Sequence, residues 1–190
     1  MTTIQKFFDG DDFLPLRRES YNFIVAFLKS CKPHTTLLEI GPSGILDHNT
    51  PYPEWDSSSY IKSYCATNNI KYRSCDIIDG CTYKCSITRL STINVKFDYI
   101  IANSVLEHVP SVWYVPREIK ESLKDGGKIL LITPFMFKLH GPDPDCWRIS
   151  PAGYMDLFSE HLNSIDIESY PPNQCDKNGI PLLIKFEGTK

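Results

Sequence analysis

Apolar positions recur along this chain with two different spacings, and segments of the two kinds take turns. In residues 16–30, Tyr21, Ile24, Val25 and Leu28 lie three or four apart or side by side, and Phe23 and Phe27 widen the stripe. That spacing predicts a helix packed on a sheet edge or over a crevice. Lys32-Pro33-His34 ends it, and residues 35–40 read as a first strand that breaks into Gly41, Pro42, Ser43 and Gly44. A turn of such small residues lets backbone approach a ligand, because glycine has no Cβ and accepts a positive φ.

Residues 45–56 are rich in proline and turn formers and read as a loop; residues 57–68 form a short helix with Tyr60, Ile61 and Tyr64 on one face. Residues 70–78 (IKYRSCDII) read as a second strand with Asp76 near its far end, and residues 82–87 as a short third strand or an extended loop. Residues 88–95 are polar and carry no clear pattern. Residues 97–102 (FDYIIA) are a buried strand ended by Asn103-Ser104, and residues 112–123 a helix with Trp113, Val115, Ile119 and Leu123 as its apolar face. Asp125-Gly126-Gly127 is a stop and turn signal, followed by a strand at 128–133 that Pro134 closes. Residues 135–148 form a loop rich in His, Pro and Asp. Ser150 is the N-cap and Pro151 the first residue of a helix reaching Phe158. Strands at 165–169 and 180–186 finish the chain, and the alternation of strands with helices predicts an α/β sheet.

At 190 residues and 42% hydrophobic content the chain fits one domain with a full core. It divides into an N-terminal arm and helix (1–34), a ligand-binding core (35–134), and a substrate loop with C-terminal strands (135–190). A net charge of -3 supplies no basic field for nucleic acid. No apolar run approaches the ~18 residues that would span a bilayer. The opening MTTIQKFFDGDDF lacks the basic-then-apolar order of a secretion signal, so seven cysteines read as free thiols in a cytoplasmic protein. Cys75, Cys81 and Cys85 fit no common zinc spacing, and no metal is expected from them.

Four segments together resemble the class I S-adenosylmethionine-dependent methyltransferases, in the small-molecule or glycan branch known as type 11. They are LLEIGPSG at 37–44, Asp76 after the second strand, FDYIIANSVLEHVP at 97–110, and LKDGGKILLITPF at 123–135. The resemblance implies a Rossmann-like doubly wound sheet of about seven strands, the last antiparallel, with helices on both faces. It also implies S-adenosylmethionine as cofactor, over the carboxyl ends of the parallel strands. By the same resemblance Glu39, Gly41, Ser43 and Gly44 line the methionine side, Asp76 holds the ribose hydroxyls through both carboxylate oxygens, Asn103 offers its backbone carbonyl, and Ser86 faces the adenine.

Three positions depart from the family pattern. Ser43 and Ile45 replace the second and third glycines of the turn, and Ser86 stands where the family carries an aspartate. Asp76 lies well beyond the ~20 residues that usually separate the ribose acid from the turn, which leaves Asp47 or Asp56 as fallbacks.

The segment LHGPDPDCWRISP, at 139–151, is similar to an acceptor loop of some glycan and small-molecule methyltransferases. It puts forward His140 beside His108 as bases, and Asp143, Trp147 and Arg148 as acceptor contacts, Trp147 stacking on a ring and Arg148 gripping an anion. The other reading of this loop is a tight structural turn packed by Trp147 and held by an Arg148–Asp145 pair. The favoured acceptor is a small molecule or glycan carrying a hydroxyl. A degenerate, non-catalytic fold acting as a partner protein is the alternative. A nicotinamide dehydrogenase would carry Gly-x-Gly-x-x-Gly at the turn, which Gly41-Pro42-Ser43-Gly44 does not supply.

Overall fold

The computed structural model describes residues 14–42, 56–171 and 180–190. Its strands are β1 (Thr36–Ile40), β2 (Lys71–Asp76), β3 (Tyr83–Lys84), β4 (Phe97–Asn103), β5 (Leu123–Pro134), β6 (Asn163–Tyr170) and β7 (Leu183–Thr189). The helices are α1 (Leu14–Ser30), α2 (Ser57–Thr67), α3 (Val115–Ser122) and α4 (Pro151–Phe158). All seven strands join one sheet in the order β3-β2-β1-β4-β5-β7-β6. β1 to β5 run parallel, while β7 is antiparallel to both its neighbours. The last strand is therefore antiparallel, as anticipated, but it sits inside the sheet and leaves β6 at the edge.

The central strands are nearly continuous apolar runs because both faces are covered. Leu38, Ile40, Ile100, Ala102, Ile129 and Leu131 face one core, closed by Val115 and Ile119 of α3 and by Tyr154 and Phe158 of α4. The alternate residues Leu37, Tyr99, Ile101, Leu130 and Ile132 face a second core with Ile24, Phe27 and Leu28 of α1 and Ile61 and Cys65 of α2. Phe186 of β7 stacks on Tyr154 at 5.2 Å and lies 4.7 Å from the Phe158 ring. Lys185, pointing the other way, is buried and paired with Asp166, Glu168 and Glu187.

Several boundaries differ from the sequence expectation. β2 stops at Asp76 rather than residue 78, because Asp76 Oδ1 accepts the N–H of Ile77 at 2.6 Å and turns the chain. The third strand is two residues long, and residues 88–95, left unassigned, fall mostly in a 3-10 segment at Ile87–Ile93 capped by Ser86. The helix expected at 112–123 is split into a 3-10 turn, Val112–Tyr114, and α3. Leu123 opens β5, and Trp113 is 56% exposed instead of facing the core. Asp125-Gly126-Gly127 does not precede its strand but lies within it. Phe97 pairs with Leu123 and Tyr99 with Lys128, so the extra residues bulge out, with Gly126 at φ 75°. β7 runs from 183 to 189 rather than 180 to 186, its end being carried by pairing with Lys128 and Ile129 rather than by apolar pattern. The loop at 45–55 and residues 1–13 of the arm lie outside the described residues.

At the amino ends of β1, β4 and β5 one carboxylate ties three strands. Asp98 Oδ2 accepts from Thr36 N at 2.7 Å, Thr36 Oγ1 at 2.8 Å and Lys124 Nζ at 2.7 Å. Burial pushes this carboxyl up, but the Lys124 and Thr36 hydrogen bonds outweigh it and hold the group below its ordinary value. A depressed folded value stabilises above the unfolded pKa and is lost as pH falls through the folded one. Asp98→Ala should therefore cost about 1–3 kcal/mol at pH 7. In urea unfolding followed over pH, the gap to wild type should stay constant above about pH 5 and narrow as pH drops below about 4.

Candidate functional site

The parallel strands deliver their carboxyl ends to one side of the sheet, and a cavity of about 870 Å³ opens there. Gly41 after β1, Asp76 and Ile77 at the end of β2, Ser86, and Asn103 at the end of β4 all line it. Leu16, Arg17, Ser20 and Tyr21 of α1 form a further wall, so the first helix covers the crevice. These α1 side chains were not among the site residues expected from sequence; only the helix's apolar stripe pointed toward them.

The β1 turn is built around absent atoms. Gly41 has φ 66° and donates its N–H to Cys75 O at 3.0 Å. A Cβ on it would stand 2.5 Å from Val105 Cγ2. Ser43, Gly44 and Asp47 lie outside the described residues. Asn103 Oδ1 is buried and has no hydrogen-bond partner among the described residues. An orphaned acceptor beside a backbone cradle fits the ammonium and backbone of an amino acid ligand.

The other cofactor-side residues divide. Asp76 Oδ1 already accepts the Ile77 N–H, so a grip on two ribose hydroxyls shares that oxygen. Ile77, 67% exposed and lining the cavity, supplies an apolar wall next to it. Ser86 Oγ caps the 3-10 turn by accepting from Thr88 N at 3.3 Å. Glu39 is not on the cavity wall. It is 4% exposed, accepts the Ser58 hydroxyl at Oε1, and accepts the Tyr72 hydroxyl at Oε2 at 2.7 Å. Burial pushes its pKa up, and those hydrogen bonds pull against the shift. Its carboxylate is spent on tying α2 and β2 to β1. Asp56, a fallback for the ribose acid, caps α2 through Ser59 N at 3.1 Å.

On the acceptor side His108 and His140 do meet, with ring centroids 4.8 Å apart, and both line the cavity. His108 Nδ1 lies 3.2 Å from Pro144 O, an acceptor only, so that nitrogen carries the proton and Nε2 is the basic one. His140 Nδ1 lies 3.1 Å from Asp145 Oδ2 and 3.3 Å from Lys138 O, which selects the same tautomer. Burial holds the His108 pKa below its ordinary value. Both Nε2 atoms stand 3.9 Å from Oε1 of Glu107. Glu107 is fully buried with neither carboxylate oxygen hydrogen-bonded, and burial pushes its pKa up to about 8. Nothing in the spacing of Glu107 along the sequence shows this burial.

Asp143 is exposed on the cavity wall, whereas Trp147 and Arg148 do not line the cavity. Trp147 Nε1 donates to Val109 O at 2.8 Å, and its ring meets Trp113 edge-on at 6.2 Å. Arg148 binds both oxygens of Asp145, at 2.5 and 2.8 Å, and the carbonyls of Phe137, Lys138 and Trp147. The Arg148 hydrogen bonds hold the Asp145 carboxyl well below the usual carboxylate range. The geometry is that of the structural turn, with Trp147 and Arg148 shaping the loop that carries His140.

Residues 56–131, from the cap of α2 into β5, match the family model described as a methyltransferase domain. That stretch, 76 of the 190 residues, is similar to a methyltransferase domain. A search of the curated proteins found no match. Among solved structures, this domain resembles an S-adenosylmethionine-dependent methyltransferase from Archaeoglobus fulgidus. The TM-score is 0.65 at 10% identity, over 92% of this chain and 94% of that one. It also resembles phosphoethanolamine N-methyltransferase 2 of Haemonchus contortus, solved with phosphomonomethylethanolamine and S-adenosylhomocysteine, at TM-score 0.61 and 11% identity over 90% of this chain. A third is the DszA carbon methyltransferase, at TM-score 0.58 and 10% identity over 92% of this chain. The chain spans about half the length of these last two, 52% of each. At such identities the likeness is one of fold.

Gly41→Ala should weaken S-adenosylhomocysteine binding at least tenfold by calorimetry, and adding Val105→Ala should recover part of the loss. Arg148→Ala should cost about 3 kcal/mol in urea unfolding, because it strands a nearly buried Asp145. Arg148→Lys should rescue little of it, since an ammonium cannot make the bidentate pair. If Arg148 instead grips the acceptor, KM rises and stability does not change.

Proposed function

We propose that this chain transfers the methyl group of S-adenosylmethionine to an oxygen of a small acceptor, with a sugar hydroxyl as the leading case. The observation that carries the reading is one cavity lined by both Asp76 with Asn103 and the paired imidazoles of His108 and His140. β2 and β5 are separated by β1 and β4 in the sheet, so the strand ends that carry Asp76 and the His140 loop stand on the order of 14 Å apart at the ordinary strand spacing. That span leaves room for a nucleoside at one end and an acceptor at the other.

In this reading Asp76 accepts from ribose hydroxyls, Ile77 and Ser86 bound the adenine, and the Gly41 backbone cradles the amino acid portion. Asn103 accepts from the ammonium. Glu39 keeps β1, β2 and α2 in register beneath them. When bound, S-adenosylmethionine supplies an electrophilic methyl group on a sulfonium that is already a good leaving group. What remains for the protein is alignment and exclusion of water. A hydroxyl held beside His108 or His140 gives its proton to the Nε2 atom of the ring as its oxygen takes the methyl group. His108 suits this because burial keeps it neutral at pH 7 and its Nδ1 is anchored on Pro144 O. Asp143 faces the same space and offers a carboxylate to neighbouring hydroxyls. The hydroxyl acceptor is supported by these acceptor-rich side chains and by the similarity of the 139–151 segment to glycan methyltransferase loops.

Calorimetric titration of S-adenosylhomocysteine should give micromolar binding to wild type and at least tenfold weaker binding to Asp76→Ala. A folded wild-type protein that binds none of it overturns the reading. With binding established, labelled methyl transfer should be tested on sugars and sugar nucleotides in parallel with phosphoethanolamine. Turnover on the amine alone overturns the hydroxyl acceptor.

A further inference from the structure

We propose that Glu107, His108 and His140 form a binding site for a divalent first-row transition-metal ion of the zinc class, open on the cavity side. The three side chains each offer one ligand atom, and these atoms lie within 4.8 Å of one another.

Acceptors converge here with nothing between them. Each imidazole has its Nδ1 proton engaged, His108 on Pro144 O and His140 on Asp145 Oδ2 and Lys138 O. Each therefore turns a lone pair at Nε2 toward the same atom, Glu107 Oε1, from 3.9 Å. That distance is too long for a hydrogen bond, so a proton on any one of the three groups does not bridge it. Glu107 is completely buried and neither of its carboxylate oxygens has a hydrogen-bond partner among the described residues. A cation at the centre reaches all three. Zinc ligands about 2.1 Å from a common ion stand about 3.4 Å apart, so each imidazole has to close on the carboxylate by roughly half an ångström, and the widest of the three separations, up to 4.8 Å, by up to about 1.4 Å.

The surroundings have the form that metal-binding histidines need. Ring N–H groups held by a carboxylate or a backbone carbonyl orient the imidazole and raise its basicity. The Arg148 charge nearby is balanced by Asp145. The backbone holds the group in place too, because Glu107 O accepts the N–H of Cys146 at 2.7 Å and of Trp147 at 3.2 Å, which docks the loop carrying His140 against the Leu106–His108 turn. Two imidazoles and one carboxylate suit zinc and its neighbours rather than calcium or magnesium, which take oxygen ligands. His108 and His140 line the cavity while Glu107 lies behind them, so the remaining coordination positions face the acceptor space. With the ion in place both Nε2 atoms are ligands rather than bases, and an acceptor hydroxyl on the open position is acidified by the charge.

Ion binding is measured on the protein alone, without cofactor or acceptor, and so stands or falls apart from methyl transfer. Chelator-treated wild type is titrated calorimetrically with Zn²⁺, beside Glu107→Gln and His140→Ala. One equivalent should bind to wild type, and each variant should bind at least tenfold more weakly. Glu107→Gln keeps the size of the side chain and replaces a buried carboxyl with a neutral amide, so its melting temperature should be no lower than wild type, which separates ligand loss from unfolding. Co²⁺ in place of Zn²⁺ should give visible d–d bands without the strong near-ultraviolet band of thiolate ligation. Three results overturn the proposal: no binding tighter than millimolar, affinity unchanged in both variants, or a thiolate band that places the ion on cysteine.

Discussion

At Gly41 the backbone enters the left-handed region while a methyl of Val105 occupies the place a Cβ would take. Two constraints meet in that contact. β1 lies between β2 and β4 and is buried on both faces, so its chain can leave only at the carboxyl end. Val105 follows β4 and must pass close over that exit. With no side chain at residue 41 the two crossings nest, and the space beyond the strand ends stays open. The cavity, the Asp76 turn and the exposed Ile77 all border that gap.

The second ordering element is the loop after β5. Two of its charged groups are turned on each other: Arg148 is saturated by Asp145 and three carbonyls, and Asp145 also receives the backbone N–H of His140. One part-buried ion pair thus fixes where the His140 ring hangs, and the Glu107 carbonyl fixes where the loop lands. An irregular segment is held as firmly as a strand edge, which is what a group that must meet His108 across the cavity requires.

Much of the fold was legible in the chain because parallel strands buried on both faces leave apolar runs such as LLEI, YIIA and KILLIT. Glycine and proline punctuated them well at Gly41, Ser150-Pro151 and Pro134. Legibility failed where pairing, not pattern, sets structure. Asp125-Gly126-Gly127 looks like a turn yet is absorbed as a bulge between β4 and β5. Trp113, counted as apolar face, is set outward by a 3-10 turn and contacts Trp147 instead. In the site, the crevice and a place for His140 over it could be anticipated from strand order, whereas the contact between the His108 and His140 rings comes from the structure alone. The placement of Glu39 could not, since a carboxylate looks the same in a string whether it faces a ligand or another strand; for Trp147 and Arg148 the string left both acceptor contacts and a turn held by an Arg148–Asp145 pair open. Glu107 was hidden for a different reason: what distinguishes it is the lack of a partner, and absence of a hydrogen bond leaves no mark on a sequence.

Insertion of β7 between β5 and β6 makes β6 the last strand of the sheet on that side among the described residues. Its unpaired edge would be a template for another strand. Asp166 and Glu168 alternate along it, 62% and 50% exposed, and with Glu187 they outnumber the single Lys185 they hold. The pairing that anchors β7 therefore leaves surplus negative charge on β6. A second copy approaching edge to edge would bring like charges face to face, so the device that closes the sheet internally also discourages its growth into aggregates.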